Sequence, residues 1–347
     1  MKPRLALVGE RGFHGTGVMV VALASHLGEK GCDVSVLEPE PPRLRGPVRT
    51  RITAMAHRMG LARRVDTGLQ ALERRLASDR FDLVMIVALP QALEIAIPER
   101  ARTLYFCHAP WAHEQREKDR QRGRADAEER FARNLERERR ILARADHVLV
   151  AWKSYETFLR ANVYDGDNIV PHPLFGWYGC TPLPHRAKFA SPPSLVHVGD
   201  LLPYWVNLPL LTRVASKVTA RLDFYGPTSA DSVPPEISFH GLATDLEATL
   251  PRYQLGLNCV TDEPLRRQAF SSKVLLYLSA GLPVLSPEWQ ELSHQLAGVV
   301  PYNEDSFPSL IAETGEPSSW NQLADAAYDQ ALALSWERVL APLDELL

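Results

Sequence analysis

Apolar residues occur along this chain in two ways, as short unbroken runs and as longer stretches where they return every third or fourth position. Unbroken runs at 5–8, 34–37, 81–89 and 102–111 are separated by segments long enough for helices. Strands of that kind are buried on both faces, the mark of a parallel sheet covered by helices. A helical repeat from about residue 18 to 29 separates the first two runs, so the N-terminal half is expected to be a doubly wound α/β unit. Late in the chain, Val274, Leu275, Tyr277 and Leu278 give one apolar helix face. Gly281 stops that helix, and Leu282-Pro283-Val284-Leu285 opens another buried strand. Residues 171–193 are dense in Pro and Gly without a helical period, which predicts a linker. Its aromatic residues Phe175, Trp177 and Tyr178 are expected to pack, with stacking on a sugar as the other role. A length of 347 residues with 45% hydrophobic content suffices for two such domains, each with its own core.

Charge alters this picture through its distribution. The net charge is −3, yet residues 1–173 hold 29 Lys and Arg against 23 Asp and Glu, and the remainder 10 against 19. A basic first half beside an acidic second half suits an acceptor carrying phosphate, or peripheral contact with an anionic membrane. The stretch 115–144 repeats arginine and glutamate at three- and four-residue spacing, the pattern of a solvated helix laced by ion pairs. Within it Arg116 to Arg124 is richest in arginine and is the candidate for an anionic acceptor or lipid headgroups. No aromatic platform interleaves those arginines, so no nucleic-acid partner is expected. Cys32, Cys107, Cys180 and Cys259 form no CxxC pair, which favours buried thiols over disulfides or zinc. No apolar run is long enough to span a membrane and the N-terminus lacks a secretory leader, so a cytoplasmic chain is expected, or one at the inner membrane face.

Three places combine residue types that carry chemistry. Ser271, Ser272 and Lys273 stand at the start of the helix before Gly281, where free N–H groups and the positive helix end favour a phosphate. An ordinary αβ unit with a surface lysine is the competing reading. Gly9, Gly12, Gly15 and Gly17 lie between the first strand and its helix, where missing side chains let the backbone approach a diphosphate. Their spacing is not that of the dinucleotide fingerprint, although Glu38 ends the second strand where an acid belongs. His108, Trp111 and His113 follow the fourth run, at the strand edge where ligands bind in such sheets. A histidine there can donate to a sugar hydroxyl or to developing negative charge.

The segment FSSKVLLYLSAGLPVLSP at 270–287 resembles the donor-binding signature of GT-B glycosyltransferases of the family 4 type, through Lys273, Tyr277, Leu278, Ala280, Gly281, Pro283 and Val284. The resemblance extends to 194–211, 222–227 and 237–260 as the strands and helices of that family's nucleotide-binding domain, and to 335–347 as its closing amphipathic helix. Residues 135–159 match the family's helix, Ala-Asp turn and strand. It is close over the last half of the chain and loose over the first. Two Rossmann-like domains facing each other across a cleft are implied: 1–170 for the acceptor, 171–193 as linker, 194–325 for the nucleotide sugar, and 326–347 as a helix packing back toward the first domain. The resemblance further implies Gly15, Gly17 and Gly199 near the donor and His108 on the donor sugar.

Departures from the family are equally specific. Many members carry two glutamates eight positions apart; Gln268 and Leu276 occupy those positions here. The basic residues that often follow the first C-terminal strand are replaced by Asp200 and Asn207. Lys273, the two serines, and Arg266 or Arg267 are expected to compensate. A bacterial exopolysaccharide glucuronosyltransferase group also resembles Ser271, Lys273 and Tyr277. The function expected is transfer of a sugar from a nucleotide-diphosphate donor, a UDP-sugar or GDP-sugar, to a glycan, lipid-linked or small-molecule acceptor, in bacterial surface polysaccharide or glycoconjugate synthesis. His108, Lys273 and Arg267 are the expected catalytic residues, and Gly15, Gly17, Gly199, Arg266, Ser271, Ser272 and Tyr277 the donor-binding ones. No cofactor or metal is called for, since carboxylates such as Asp262-Glu263 do not form a DxD motif. Family likeness implies retention; an inverting reaction needs a base, with His113, Glu114 and Asp119 as candidates. A non-catalytic subunit partnering another glycosyltransferase, and a sugar-nucleotide epimerase, are the alternatives.

Overall fold

The unbroken apolar runs become β1 (Arg4–Val8), β2 (Asp33–Leu37), β3 (Leu83–Val87), β4 (Arg102–Cys107), β5 (His147–Val150) and the short β6 (Ile169–Val170). In this computed structural model the described residues are 2–9, 16–38, 67–87, 100–173, 175–199, 206–227, 230–243, 245–269, 271–290 and 293–347. The six strands form one parallel sheet in the order β2-β1-β3-β4-β5-β6. Helices α1 (Thr16–Glu29), α2 (Thr67–Ser78), α3 (Trp111–Gln121), α4 (Ala127–Leu142) and α5 (Lys153–Asn162) connect them. All five residues of β3 are buried, as expected of a central parallel strand. Every fully buried Leu or Val here contributes about 1.5–3 kcal/mol relative to exposure.

The second sheet repeats the plan. Strands β7 (Leu195–Val198), β8 (Leu222–Tyr225), β9 (Ser238–Phe239), β10 (Leu255–Leu257), β11 (Val284–Pro287) and β12 (Val299–Tyr302) are parallel in the order β12-β11-β10-β7-β8-β9. Its helices are α6 (Leu208–Ser216), α7 (Leu246–Thr249), α8 (Pro264–Arg267), α9 (Ser272–Ser279), α10 (Phe307–Thr314), α11 (Pro317–Ala333) and α12 (Trp336–Leu340). Contacts divide the chain into a first unit of Met1–Arg116 with Ala125–Trp177, and a second of Glu117–Arg124 with Tyr178–Leu347.

Two features differ from the sequence reading, while the Pro- and Gly-rich segment 171–193, expected as a linker, contains the division between the units at Trp177 and Tyr178. Trp177 is buried in the first unit, its indole N–H donating to Val170 O at 3.2 Å, while Leu183 N and Ala187 N donate to Ser279 O and Ala280 O, both at 2.8 Å. Lacking helical period, this stretch satisfies its amides on α9 instead. The boundary near 325 falls inside α11, whose buried residues are Trp320, Ala324, Ala327 and Ala331; past Trp320 the face is alanine only, which gives little apolar contrast to read. A Cβ on Gly298 (φ +80°) would stand 2.5 Å from Ala327 Cα, so this helix packs too close for a side chain there. The closing helix ends after Leu340 and continues as a 3₁₀ turn over Ala341–Leu346, where Pro342 cannot donate a helical bond. No helix among the described residues is long and apolar enough to cross a membrane.

Candidate functional site

In the second unit the site is built at the carboxyl edge of β7 and β10, where α9 begins. Tyr277 and Gly256 set its floor. Tyr277 is fully buried, its hydroxyl accepting from Val198 N at 2.8 Å and donating to Leu257 O at 3.4 Å, so one phenol links β7 and β10. A Cβ on Gly256 would lie 2.4 Å from Tyr277 Cγ, which is why the strand has glycine beneath the ring. The buried His197 donates from Nδ1 to Leu257 O at 2.9 Å. Burial, and then the Lys273 charge, push its pKa well below the ordinary histidine value, so it is neutral.

Above that floor stands Lys273 in the first turn of α9. Gly199 follows β7 at φ +144°, a conformation that favours glycine, and a Cβ there would meet Lys273 Nζ at 3.1 Å. The missing side chain leaves the ammonium its place. Ser271 occupies the N-cap position with extended backbone, but its side chain makes no cap hydrogen bond, so the predicted capping by Ser271 is not what the structure shows. Ser272 opens the helix and is exposed. Below the entry to α9, Asn258 Nδ2 donates to Ser286 Oγ at 3.0 Å and to Gln290 Oε1 at 2.6 Å, and Gln290 Nε2 donates to Ala269 O at 2.9 Å. These buried amides fix the approach to the helix start.

Lys273, Gly199, Ser271 and Ser272 are therefore brought to one edge. Tyr277 lies beneath it as a support and cannot touch a ligand from its buried position. Arg266 is 7% exposed in α8. Arg267 forms a fork with Asp262, with bonds of 2.7 and 2.8 Å, and lies 5.9 Å from the Trp289 ring. Its guanidinium is thus forked onto a carboxylate in an exposed ion pair. The sequence offered one unread signal here: a histidine inside the apolar run of β7.

In the first unit, Gly9 follows β1 and a Cβ there would stand 2.7 Å from Val20 Cγ2, so this glycine serves strand–helix packing. Gly17 is buried in the first turn of α1. Gly12 and Gly15 lie outside the described residues. His108 is half-buried directly after β4. His113 packs edge-on against Phe131 and Phe158, each 4.9 Å between ring centres. Burial, with the nearby Arg116 charge, lowers its pKa to about 4. Wedged between two phenyl rings, it is a packing residue and not an exposed base. Asp119, in the Glu117–Arg124 segment of the second unit, is buried and paired with Arg124 at 3.3 Å. Glu114 lies in the first turn of α3.

Glu138, which the sequence reading did not single out, is the most perturbed carboxyl among the described residues of the first unit. It accepts from Trp111 N at 2.7 Å and Ala112 N at 2.9 Å while 2% exposed. Burial raises its pKa to about 7, against the pull of the two amides and with the repulsion of Glu114. The arginine-rich stretch is paired: Arg116 forks onto Glu128 at 3.0 and 2.6 Å and lies 4.4 Å from the Phe131 ring, and Arg120 meets Glu117 at 3.4 Å. Among the described residues no cluster of three His, Cys, Asp or Glu could hold a metal ion.

Residues 13–170 match the model of Glycosyltransferase Family 4. No curated protein sequence matches the chain. Among solved structures, the sucrose-phosphate synthase of Thermosynechococcus elongatus is similar over 99% of this chain and 98% of its own, at TM-score 0.69 and 15% identity. The Anabaena HepE protein, solved in complex with UDP and glucose, is similar over 100% and 99%, at 0.64 and 12%. WaaG, a glycosyltransferase involved in lipopolysaccharide biosynthesis, is similar over 99% of both chains, at 0.62 and 14%. Residues 13–170 thus match the Glycosyltransferase Family 4 model, and the chain shares its fold of two Rossmann-like units with these solved glycosyltransferase structures.

Proposed function

We propose that the protein transfers a sugar from a nucleotide-diphosphate sugar, a UDP-sugar or GDP-sugar, to a glycan, lipid-linked or small-molecule acceptor. The observation that carries this reading is the Lys273 ammonium beside Gly199 at the start of α9. A departing diphosphate carries its charge in two phosphates close together. The first amides of α9, the positive helix end and the lysine offer donors and charge that require little reorganisation when that charge develops. Leaving-group stabilisation is thus assigned to these groups and not to a divalent ion. Buried Tyr277, Gln290 and Asn258 hold the edge rigid, which fits a preorganised site. His108 is assigned to the transferred sugar and the first unit to the acceptor, with retention of configuration as the family implies. HepE's complexes with UDP-glucose and with UDP and glucose support a UDP donor, and WaaG's role supports a cell-surface product.

A thermal-shift panel of UDP, GDP, ADP, dTDP and CMP with the matching nucleotide sugars tests this reading, because a ligand at a hundred times its Kd stabilises the folded state by about 2.7 kcal/mol. A selective rise with one diphosphate, and slow release of that nucleotide from its sugar, are expected. No rise with any of them would favour a non-catalytic subunit. His108→Ala is expected to cut turnover by more than it weakens nucleotide binding; the reverse would take His108 off the sugar.

A further inference from the structure

At the carboxyl end of β4 the chain turns through His108, Ala109 and Pro110 into α3, whose first amides have no partner inside the helix. Two of these amides are met by one side chain from another helix. Trp111 N donates to Oε1 of Glu138, and Ala112 N donates to Oε2. One oxygen per amide is the arrangement that an ionised carboxylate, with acceptor sites on both atoms, is able to satisfy. The same corner is tied from the strand side, where Cys107 Sγ donates to Ala109 O at 3.5 Å.

The surroundings decide how this contact responds to a proton. Tyr105 and Cys107 lie on β4, where burial above all, with the Glu138 charge adding to it, raises the pKa of both. Glu114 acts on it from α3 as a like charge, and no cation is among the groups that shift it. Its own helix brings Arg137 to the Trp111 ring, 5.5 Å from the ring centre. Neutral Glu138 retains one carbonyl acceptor, while its second oxygen becomes a hydroxyl, a far weaker acceptor. One buried amide then keeps only that weakened partner.

We propose that Glu138 is a positioning residue whose ionised carboxylate fixes the His108–Pro110 corner and whose protonation loosens it. The catalytic consequence rests on the role given to His108 above; the structural part does not. Two amides and burial act in opposite directions on this carboxyl and leave it titrating at about 7, so the corner changes within the physiological range. Below that pH the corner is loose, and above it the corner is held.

Hydrogen exchange of the full chain tests this, read on the peptide spanning 108–114 from about pH 5.5 to about pH 8.5 and corrected for intrinsic exchange. In the unmodified protein, protection of this peptide is expected to fall roughly tenfold as pH drops through 7, the loss of about one hydrogen bond. Glu138→Gln, which offers one acceptor at every pH, is expected to show the lower protection throughout. Should that variant fail to fold, Glu114→Gln decides: removal of the like charge is expected to move the midpoint to lower pH while the transition persists. Turnover of the nucleotide sugar is expected to follow the same midpoint and nucleotide affinity to ignore it. Protection that does not change with pH, or a midpoint that Glu114→Gln leaves in place, would overturn the proposal. An unmodified protein that shows the exchange transition yet releases no nucleotide would instead count against the proposed function alone.

Discussion

Two helices begin at the carboxyl edges of the two sheets, α3 in the first unit and α9 in the second, and both start with the same set of unpaired amides. The first is filled from within: Glu138 reaches across from α4 and takes two amides on one carboxylate. At the second, Ser271 makes no cap hydrogen bond, and the charged residue in the first turn is a cation, Lys273. A helix start that already holds a buried anion cannot accept another, while one flanked by an ammonium and a glycine has the charge and space for one. The same backbone physics therefore gives a structural joint in one unit and a candidate anion site in the other, and the side chains nearby decide which.

The severest way to break this comparison is to remove the floor beneath the second helix start. Tyr277→Ala is expected to destabilise the protein by about 3–5 kcal/mol, measured by chemical denaturation, because a fully buried ring leaves a cavity between β7 and β10. Next is the titration of the first helix start. The folded pKa of Glu138 lies above its ordinary value, so its contribution is fully present below about pH 4.5 and is lost as pH rises to about 7. The loss is on the order of 3 kcal/mol at most, and Glu138→Gln is expected to flatten that part of the stability–pH curve. Arg267→Ala, which breaks an exposed fork with Asp262, is expected to cost less than about 1 kcal/mol and to leave nucleotide affinity nearly unchanged. A large loss of affinity would place Arg267 in the donor site.

Much of this contrast is legible in the sequence at the second start and little at the first. The segment 270–287 announces a helix, its glycine stop and a strand through period and turn chemistry, and Lys273 falls at the right end of it. What a sequence does not carry is depth. Tyr277 matches the family pattern, yet its hydroxyl is consumed by Val198 N and Leu257 O, a fact of packing. Glu138 stands among arginines in a stretch patterned like a solvated helix, and only the approach of α3 to α4 shows that one glutamate turns inward. His113 shows the converse error, since a histidine after a strand reads as chemistry until Phe131 and Phe158 close around it. The strand β12 and helices α10 and α11 escape a sequence reading for a different reason: few of their residues are buried, Tyr302 in the strand, Phe307, Ile311 and Thr314 in α10, and Trp320 with three alanines in α11.

The most direct test of the central claim is a calorimetric titration of UDP, or of whichever diphosphate the panel selects, into the unmodified protein and into Lys273→Met. One charged hydrogen bond to phosphate is worth roughly 1.5–3 kcal/mol, so affinity is expected to fall about ten- to 150-fold while the melting temperature without ligand stays the same. Equal affinity in the two proteins would mean that the start of α9 is not where the diphosphate is held, and the contrast between the two helix starts would lose its functional meaning.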